Sequence, residues 1–175
     1  VYEEEETELV TDIYGVTKEV CAQTSETSLR RLLSKGTGKM KVADRIRVGK
    51  GNAPILQLLH SEGSVALEQQ QVVERGILVQ GSLNVKVMYI TGDDETPYST
   101  AQAQIPYEYT LEVPGIAPRD MGWVQAKMEQ LQVTMLDGEE MDVKAVLSFH
   151  TTVFQMLPMN LIQQVSVADL DRAKQ

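Results

Sequence analysis

The sequence has few of the residues that form disulfides or bind metal ions. Among 175 residues there is one cysteine, Cys21, and there are two histidines, His60 and His150. A lone cysteine forms no disulfide within the chain, and we expect Cys21 to be a small packed residue. Because neither histidine has another ligand residue at metal-binding spacing, we predict no metal site and no cofactor.

Long apolar runs and basic clusters are also missing. No stretch reaches the roughly 18 apolar residues of a membrane span, and the acidic start of the chain differs from a signal peptide. A formal charge of −9 repels polyanions, and we expect no face to gather the Lys and Arg cluster that phosphate contacts require. We therefore predict neither membrane insertion nor nucleic-acid binding. Since the chain starts at Val1 without a methionine, we expect a processed or excised piece.

Local signatures of catalysis are absent as well. No G-x-S-x-G elbow occurs. The stretch "GTGKMK", residues 36–41, does not complete a phosphate-binding loop, because the pattern needs Gly at the position of Leu33 and Ser or Thr at that of Met40. Glu139 and Glu140 lie beside Gly138 at a turn, where exposed carboxylates are ordinary. We expect no enzymatic activity. A carboxylate pair that only the fold assembles stays an alternative, because the spacing that matters is spatial.

Alternation of apolar and polar residues dominates what is present. A period of two predicts half-buried β-strands, and it runs through residues 77–90, 99–113 and 141–153, with weaker strands over 40–48, 64–74 and 123–136. The inward phases of the three strongest strands are Ile77, Val79, Leu83, Val85, Val87 and Tyr89; Ala101, Ala103, Ile105, Tyr107, Tyr109, Leu111 and Val113; and Met141, Val143, Ala145, Leu147, Phe149 and Val153.

Irregular positions indicate how these strands connect. The phase of 123–136 changes near Glu129 or Gln130, which predicts a β-bulge, and Pro106 predicts an edge strand or a local break. "YITGDDETPYST" is interpreted as a hairpin turn, since the contiguous Asp93, Asp94 and Glu95 do not have the spacing of a calcium loop. "LDGEE" predicts another turn.

Two short stretches have helical spacing instead. In "NAPILQLLH" the residues Ile55, Leu58 and Leu59 share one stripe, and in "SETSLRRLLSKG" three leucines precede Gly36. The fold class predicted is all-β, an antiparallel β-sandwich with one or two short helices. Trp123 is predicted to pack in the core, with exposure at a loop edge as the alternative.

The two ends of the chain resemble each other. Residues 1–15 align without gaps on residues 153–167, which pairs Val10 with Ile162. The acidic start of the chain is followed by apolar residues that we expect to form a strand completing their own domain. The hypothesis kept beside it is an assembly strand, added to the sheet edge of a neighbouring copy. The assembly strand comprises Leu9, Val10, Ile13, Tyr14 and Val16.

The ordered series of elements resembles a known family. "VVERGILVQGSLNVKVMYITGDDETPYSTAQAQIPYEYTLEVPGI", followed by "MDVKAVLSF", resembles the SPOCS domain, a repeated module of sporulation proteins in spore-forming Firmicutes. The upstream "MKVADRIRVGKGNAPILQLLHSEGSVAL" is similar to the start of that module, and "ELVTDIYGVTKEV" is similar to a linker between two modules. The resemblance covers residues 9 to about 162.

The resemblance implies a non-enzymatic scaffold of the spore coat or spore surface, made in the mother-cell cytoplasm. Its expected partners are other coat-assembly proteins and further copies of itself, as an oligomer or filament. We predict an N-terminal arm or inter-module linker over residues 1–35, the sandwich module over 36–165 and a C-terminal tail over 166–175. The alternative function is that of a carbohydrate-binding module of the cell or spore surface.

Overall fold

The computed structural model describes residues 10, 12, 20–48 and 53–167, with side chains described for 10, 12, 23–48 and 53–165. Six strands occur in this part of the chain: β1 (Val20–Arg47), β2 (Ile55–Val73), β3 (Gly76–Thr91), β4 (Tyr98–Glu112), β5 (Met121–Met135) and β6 (Glu140–Val167). They form two three-stranded sheets, with the strand orders β1-β6-β5 and β2-β3-β4. The pairs β2–β3, β3–β4 and β5–β6 are antiparallel. The predicted all-β sandwich is therefore confirmed.

The chain divides into two compact units. One unit comprises Leu32–Gln155 and contains the apolar core. The other comprises Val1–Arg31 and Met156–Gln175, and its described strands are the first part of β1 and the last part of β6. The boundaries that we predict at residues 35 and 165 stay a prediction.

The core of the unit Leu32–Gln155 follows the predicted alternation. The inward phases of β3, β4 and β6 are buried or half-buried throughout, while the intervening residues of β4 face solvent. Phe149 of β6 joins the two sheets: its ring stacks on Tyr109 of β4 at 5.1 Å between centroids and tilts against Tyr107 at 5.7 Å. Burial of these apolar faces is the main term that stabilises the sandwich.

Both irregular positions in the strands are confirmed. The β5–β6 register shifts between Met128 and Gln130, so Glu129 is the extra residue of a bulge. The bulge keeps Val124 buried on one side of it and Leu131 packed on the core on the other. Pro106 lies in β4, an edge strand of its sheet, where a missing amide donor disturbs one strand pair at most.

The two predicted short helices are wrong. Residues 55–60 belong to β2, and the β2–β3 register shifts between Ile55 and Gln57 and again between Leu58 and His60. Each shift inserts one residue, so two bulges in a strand imitate the spacing of a helical stripe. The second predicted helix lies within β1, where strand pairing with β6 overrides the helix propensity of leucine and arginine.

The Tyr89 hydroxyl is a buried polar group without a hydrogen-bond partner in the described part of the chain. An unsatisfied buried hydroxyl reduces stability, so Tyr89→Phe should raise the free energy of unfolding by about 1 kcal/mol. Tyr107→Phe is the matched control, because the Tyr107 hydroxyl donates a hydrogen bond to the Ala66 carbonyl at 3.0 Å. The control should lose about 1 kcal/mol in urea unfolding. A loss in Tyr89→Phe as well would mean that this hydroxyl has a partner.

Candidate interaction surfaces

Only one residue of the predicted assembly strand lies in the described part of the chain. The Ile162 N–H of β6 donates a hydrogen bond to the Val10 carbonyl at 3.3 Å, and the Val10 side chain is 62% exposed. The two residues joined here are the pair that the alignment of the chain ends matches. The rest of the predicted strand lies outside the described residues: Leu9, Ile13, Tyr14 and Val16.

The acidic stretch after β3 forms a hairpin turn, as predicted. The Asp93 carboxylate accepts hydrogen bonds from the Thr96 hydroxyl at 2.8 Å and the Glu95 N–H at 3.0 Å. These bonds hold the pKa of the Asp93 carboxyl below its usual value, with the Thr96 hydroxyl as the larger cause. The Asp93 carboxylate therefore stabilises the turn by accepting hydrogen bonds from residues of the turn itself. At the β5–β6 turn, Asp137 accepts from the Glu139 and Glu140 N–H groups in the same way, each at 2.8 Å.

The outer face of the sheet β2-β3-β4 is polar and carries an open groove. Glu62, Ser64, Asn84, Lys86, Gln102 and Gln104 line the groove with backbone and small side chains between them. Next to it, the Ser82 hydroxyl donates to the Glu68 carboxylate at 2.7 Å, and Gln80 donates to Glu108 at 2.6 Å. We name this surface the acidic face. Its charged residues are Glu62, Glu68, Glu108, Glu112 and Lys86.

The outer face of the sheet β1-β6-β5 carries most of its charge as cations. In β1 the even positions from Gly36 to Val42 are half-buried or buried, which turns the odd positions outward. The three carboxylates of this face each pair with a cation: Glu129 with Lys39 at 2.7 Å, Glu140 with Arg47 at 2.5 Å, and Asp142 with Lys144 at 2.7 Å. We name this surface the basic face. Its charged residues are Lys39, Lys41, Arg45, Arg47, Lys127, Lys144, Glu129, Glu140 and Asp142.

The basic face corrects our expectation that no face gathers lysine and arginine. The signal was present in "KMKVADRIR", where the alternation that predicts a strand over 40–48 also puts its cations on one side. What the sequence did not reveal is that β5 and β6 add Lys127 and Lys144 to the same surface. The Lys39 ammonium, by its hydrogen bond, holds the pKa of the Glu129 carboxyl below its usual value.

Trp123 is exposed rather than packed in the core, which corrects the sequence-based prediction. Its side chain is 59% exposed on β5, and Met121, two residues earlier in the same phase, is exposed as well. Their partners on β6 are Thr152 and Phe154. The residue belongs to an edge strand whose inward phase is carried by Val124, so the alternation along the strand turns Trp123 to the outer face.

The chemistry-bearing side chains do not converge. The His60 and His150 side chains are exposed, on different sheets, and the Cys21 side chain lies outside the described ones. Among the described residues, no group of three or more His, Cys, Asp or Glu side chains is placed to hold a metal ion. In the same part of the chain, no helix is long and apolar enough to cross a membrane.

Comparison with known proteins identifies a family for part of the chain. Residues 54–136 match the family model described as "SipL, SPOCS domain", which lies within the wider range of the resemblance over residues 9 to about 162. No curated protein gives a significant match, and no solved structure does so either. The matched residues run from the start of β2 to the end of β5. Residues 54–136 therefore make this chain similar to the SPOCS domain family of sporulation-related proteins.

Proposed function

We propose that this chain is a non-catalytic structural module of the spore coat or spore surface, made in the mother-cell cytoplasm. It acts through protein–protein contacts with other coat-assembly proteins and with copies of itself. Self-assembly proceeds by strand donation, in which residues 1–16 of one copy pair with the end of β6 in another.

The hydrogen bond from Ile162 to Val10 carries this proposal. It gives β6 a main-chain partner that belongs to none of the six strands, in the sequence stretch that we predict to be an assembly strand. Main-chain hydrogen bonds do not distinguish a segment of the same copy from the identical segment of another. Exchange of an element between identical copies is therefore a low-cost route to oligomers.

The division of the chain into units supports such an exchange. Val10 and Ile162 both belong to the unit Val1–Arg31 with Met156–Gln175, whereas the buried core belongs to Leu32–Gln155. Replacing one N-terminal segment by another leaves the core contacts of Phe149 and its neighbours intact. A donated strand thus costs little of the apolar burial that stabilises the sandwich.

Deletion of residues 1–16 tests strand donation. At about 1 M NaCl, where contacts between exposed charges are screened, we expect the shortened chain to be a folded monomer, and we expect the oligomers of the full chain to disappear in size-exclusion chromatography with light scattering. Deletion of residues 168–175 is the control and should leave the oligomers unchanged. Circular dichroism and thermal melting establish that both deletions are folded. Oligomers that persist at about 1 M NaCl without residues 1–16 would refute donation by this segment.

Exposed Trp123 favours a second function, that of a carbohydrate-binding module of the cell or spore surface. An exposed indole ring offers the flat apolar surface on which a sugar ring can lie, with a polar N–H at its edge. In a glycan array, Trp123→Ala should abolish binding, whereas Tyr98→Ala, which removes another exposed aromatic ring, should not. Equal binding by the wild type and Trp123→Ala would exclude this function for Trp123.

A further inference from the structure

The two outer faces of the sandwich carry opposite charge. Six cations and three carboxylates give the basic face a formal charge of +3, and four carboxylates and one lysine give the acidic face −3. The other residues of the chain outside the basic face, with 10 cations and 22 carboxylates, sum to −12. A positive face on so acidic a chain is a local feature that its overall composition conceals.

Exposure makes the basic face more positive to a partner than its formal charge suggests. The side chains of Lys39, Arg45, Arg47 and Lys144 are 63–75% exposed, whereas those of Glu129, Glu140 and Asp142 are 20–36% exposed. The carboxylates are therefore less accessible to a partner than the cations with which they pair. Lys41 and Lys127 form no ion pair with any described residue, so their full charge is available to an incoming surface.

The placement of the two faces determines what their contact would build. Both belong to the unit Leu32–Gln155, and they are the outer surfaces of two sheets whose inner faces pack together. They therefore point in opposite directions. If one copy covers the basic face of another, each still has a free face of the opposite kind, and the contact repeats without closing.

We propose that the basic face of one copy docks on the acidic face of a second copy, so that copies stack head to tail. Complementary charge of equal magnitude, +3 against −3, is the reason for choosing a second copy as the occupant. This inference rests on the proposed assembly function and adds to it a contact that involves neither the N-terminal segment nor the end of β6. The contact is electrostatic, so it weakens as salt shortens the screening length from about 10 Å at 0.1 M to about 3 Å at 1 M.

Charge reversal at the two lysines without an ion pair tests the contact. Lys41→Glu with Lys127→Glu changes the basic face from +3 to −1. The existing ion pairs of Glu129, Glu140 and Asp142 stay in place, because neither lysine takes part in them. In light scattering at about 50 mM NaCl, the double variant should associate at least about tenfold more weakly than the wild type. The control, Lys86→Glu, is a single substitution of the same kind that changes the acidic face from −3 to −5, and it should associate as well as the wild type or better.

Mixing two variants tests the head-to-tail geometry. Glu62→Lys with Glu112→Lys changes the acidic face from −3 to +1 while its basic face stays intact. Each double variant alone should be free of stacks, because one of its two faces is wrong. Their mixture should form a 1:1 complex through the one pair of unaltered faces. Growth beyond it should be much weaker than in the wild type, because the altered faces carry only −1 and +1 instead of −3 and +3.

Three results would overturn the stacking proposal. One is undiminished association of the double variant Lys41→Glu with Lys127→Glu, and another is association that persists at about 1 M NaCl, both measured in a chain without residues 1–16 so that strand donation does not contribute. The third is a wild type that does not stack but binds a DNA duplex or polyglutamate in fluorescence anisotropy, while the double variant Lys41→Glu with Lys127→Glu does not bind it. The basic face would then be a binding site for a polyanion. The test of strand donation is independent of this one. The two lysine substitutions leave residues 1–16 in place, and the deletion of residues 1–16 leaves both charged faces intact.

Discussion

Replacing Phe149 by alanine should lower the free energy of unfolding by about 3 to 5 kcal/mol. The Phe149 side chain is fully buried on β6, and it contacts Tyr107 and Tyr109 of the opposite sheet. Its removal loses the transfer free energy of the ring, leaves a cavity between rigid strands, and ends two aromatic contacts that contribute about 0.5 to 1.5 kcal/mol each. Urea unfolding followed by circular dichroism gives the loss directly.

Phe154→Ala is the matched control for this prediction. It removes the same ring from the same strand, but Phe154 lies in the opposite phase of β6, half-buried on the outer side. Since no enclosed cavity forms there, we expect a loss of about 1 kcal/mol or less. Equal losses at both positions would contradict the assignment of Phe149 to the interface between the sheets.

The substitution Gly81→Ala should be nearly as harmful, with a loss of about 2 to 4 kcal/mol. A Cβ atom on Gly81 would overlap the Ala66 carbonyl oxygen of β2 and would lie 2.6 Å from the Tyr107 hydroxyl oxygen. Neither neighbour can move easily, because Ala66 is held in the β2–β3 pair and the Tyr107 ring contacts Phe149. The hydrogen bond from Tyr107 to Ala66 would break as well.

Gly92→Ala is the control for the close approach at Gly81. A Cβ atom on Gly92 would meet nothing nearer than 3.7 Å, and the backbone there does not have a positive φ. The same added methyl group should therefore change the stability by less than about 0.5 kcal/mol. Because about 1 kcal/mol shifts the melting temperature of a chain of this size by roughly 2 to 4 °C, thermal melting separates the two variants. Similar melting temperatures would contradict the overlap at Gly81.

The two proposed contacts between copies differ in their physics. Strand donation rests on main-chain hydrogen bonds of the segment around Val10, which salt screens little. Stacking rests on exposed lysine and arginine side chains, whose attraction to carboxylates falls with ionic strength. If both contacts operate, low salt should give larger assemblies of the full chain than high salt. Deletion of residues 1–16 should remove only the association that persists at high salt.

Alternation in the sequence predicted the inner faces well, because burial on one side of a strand requires apolar residues at every second position. Ile105, Leu111 and Met141 are buried as expected, and the bulge at Glu129 is where the phase of β5 changes. The hairpin at Asp93 was predictable for a similar reason, since its turn is held by hydrogen bonds between residues close in sequence.

The helical spacing of Ile55, Leu58 and Leu59 misled the prediction because a period is ambiguous when bulges interrupt a strand. The exposure of Trp123 had a signal in the sequence that the prediction did not use: Val124, Ala126 and Met128 alternate on one face, which turns Trp123 to the other. The basic face was half visible, as alternating cations in β1, but its completion by Lys127 and Lys144 depends on which strands lie beside β1.

By itself the sequence determined the strand content, the inward phases and the local turns, since each depends on neighbours within a few residues along the chain. Only the tertiary structure decided that β1, β6 and β5 share a sheet, and hence that their outward residues form one charged surface. The physical reason is that the outward phase of a strand carries no constraint from burial. What such a face can bind is set by residues that are distant in sequence and are brought together by pairing.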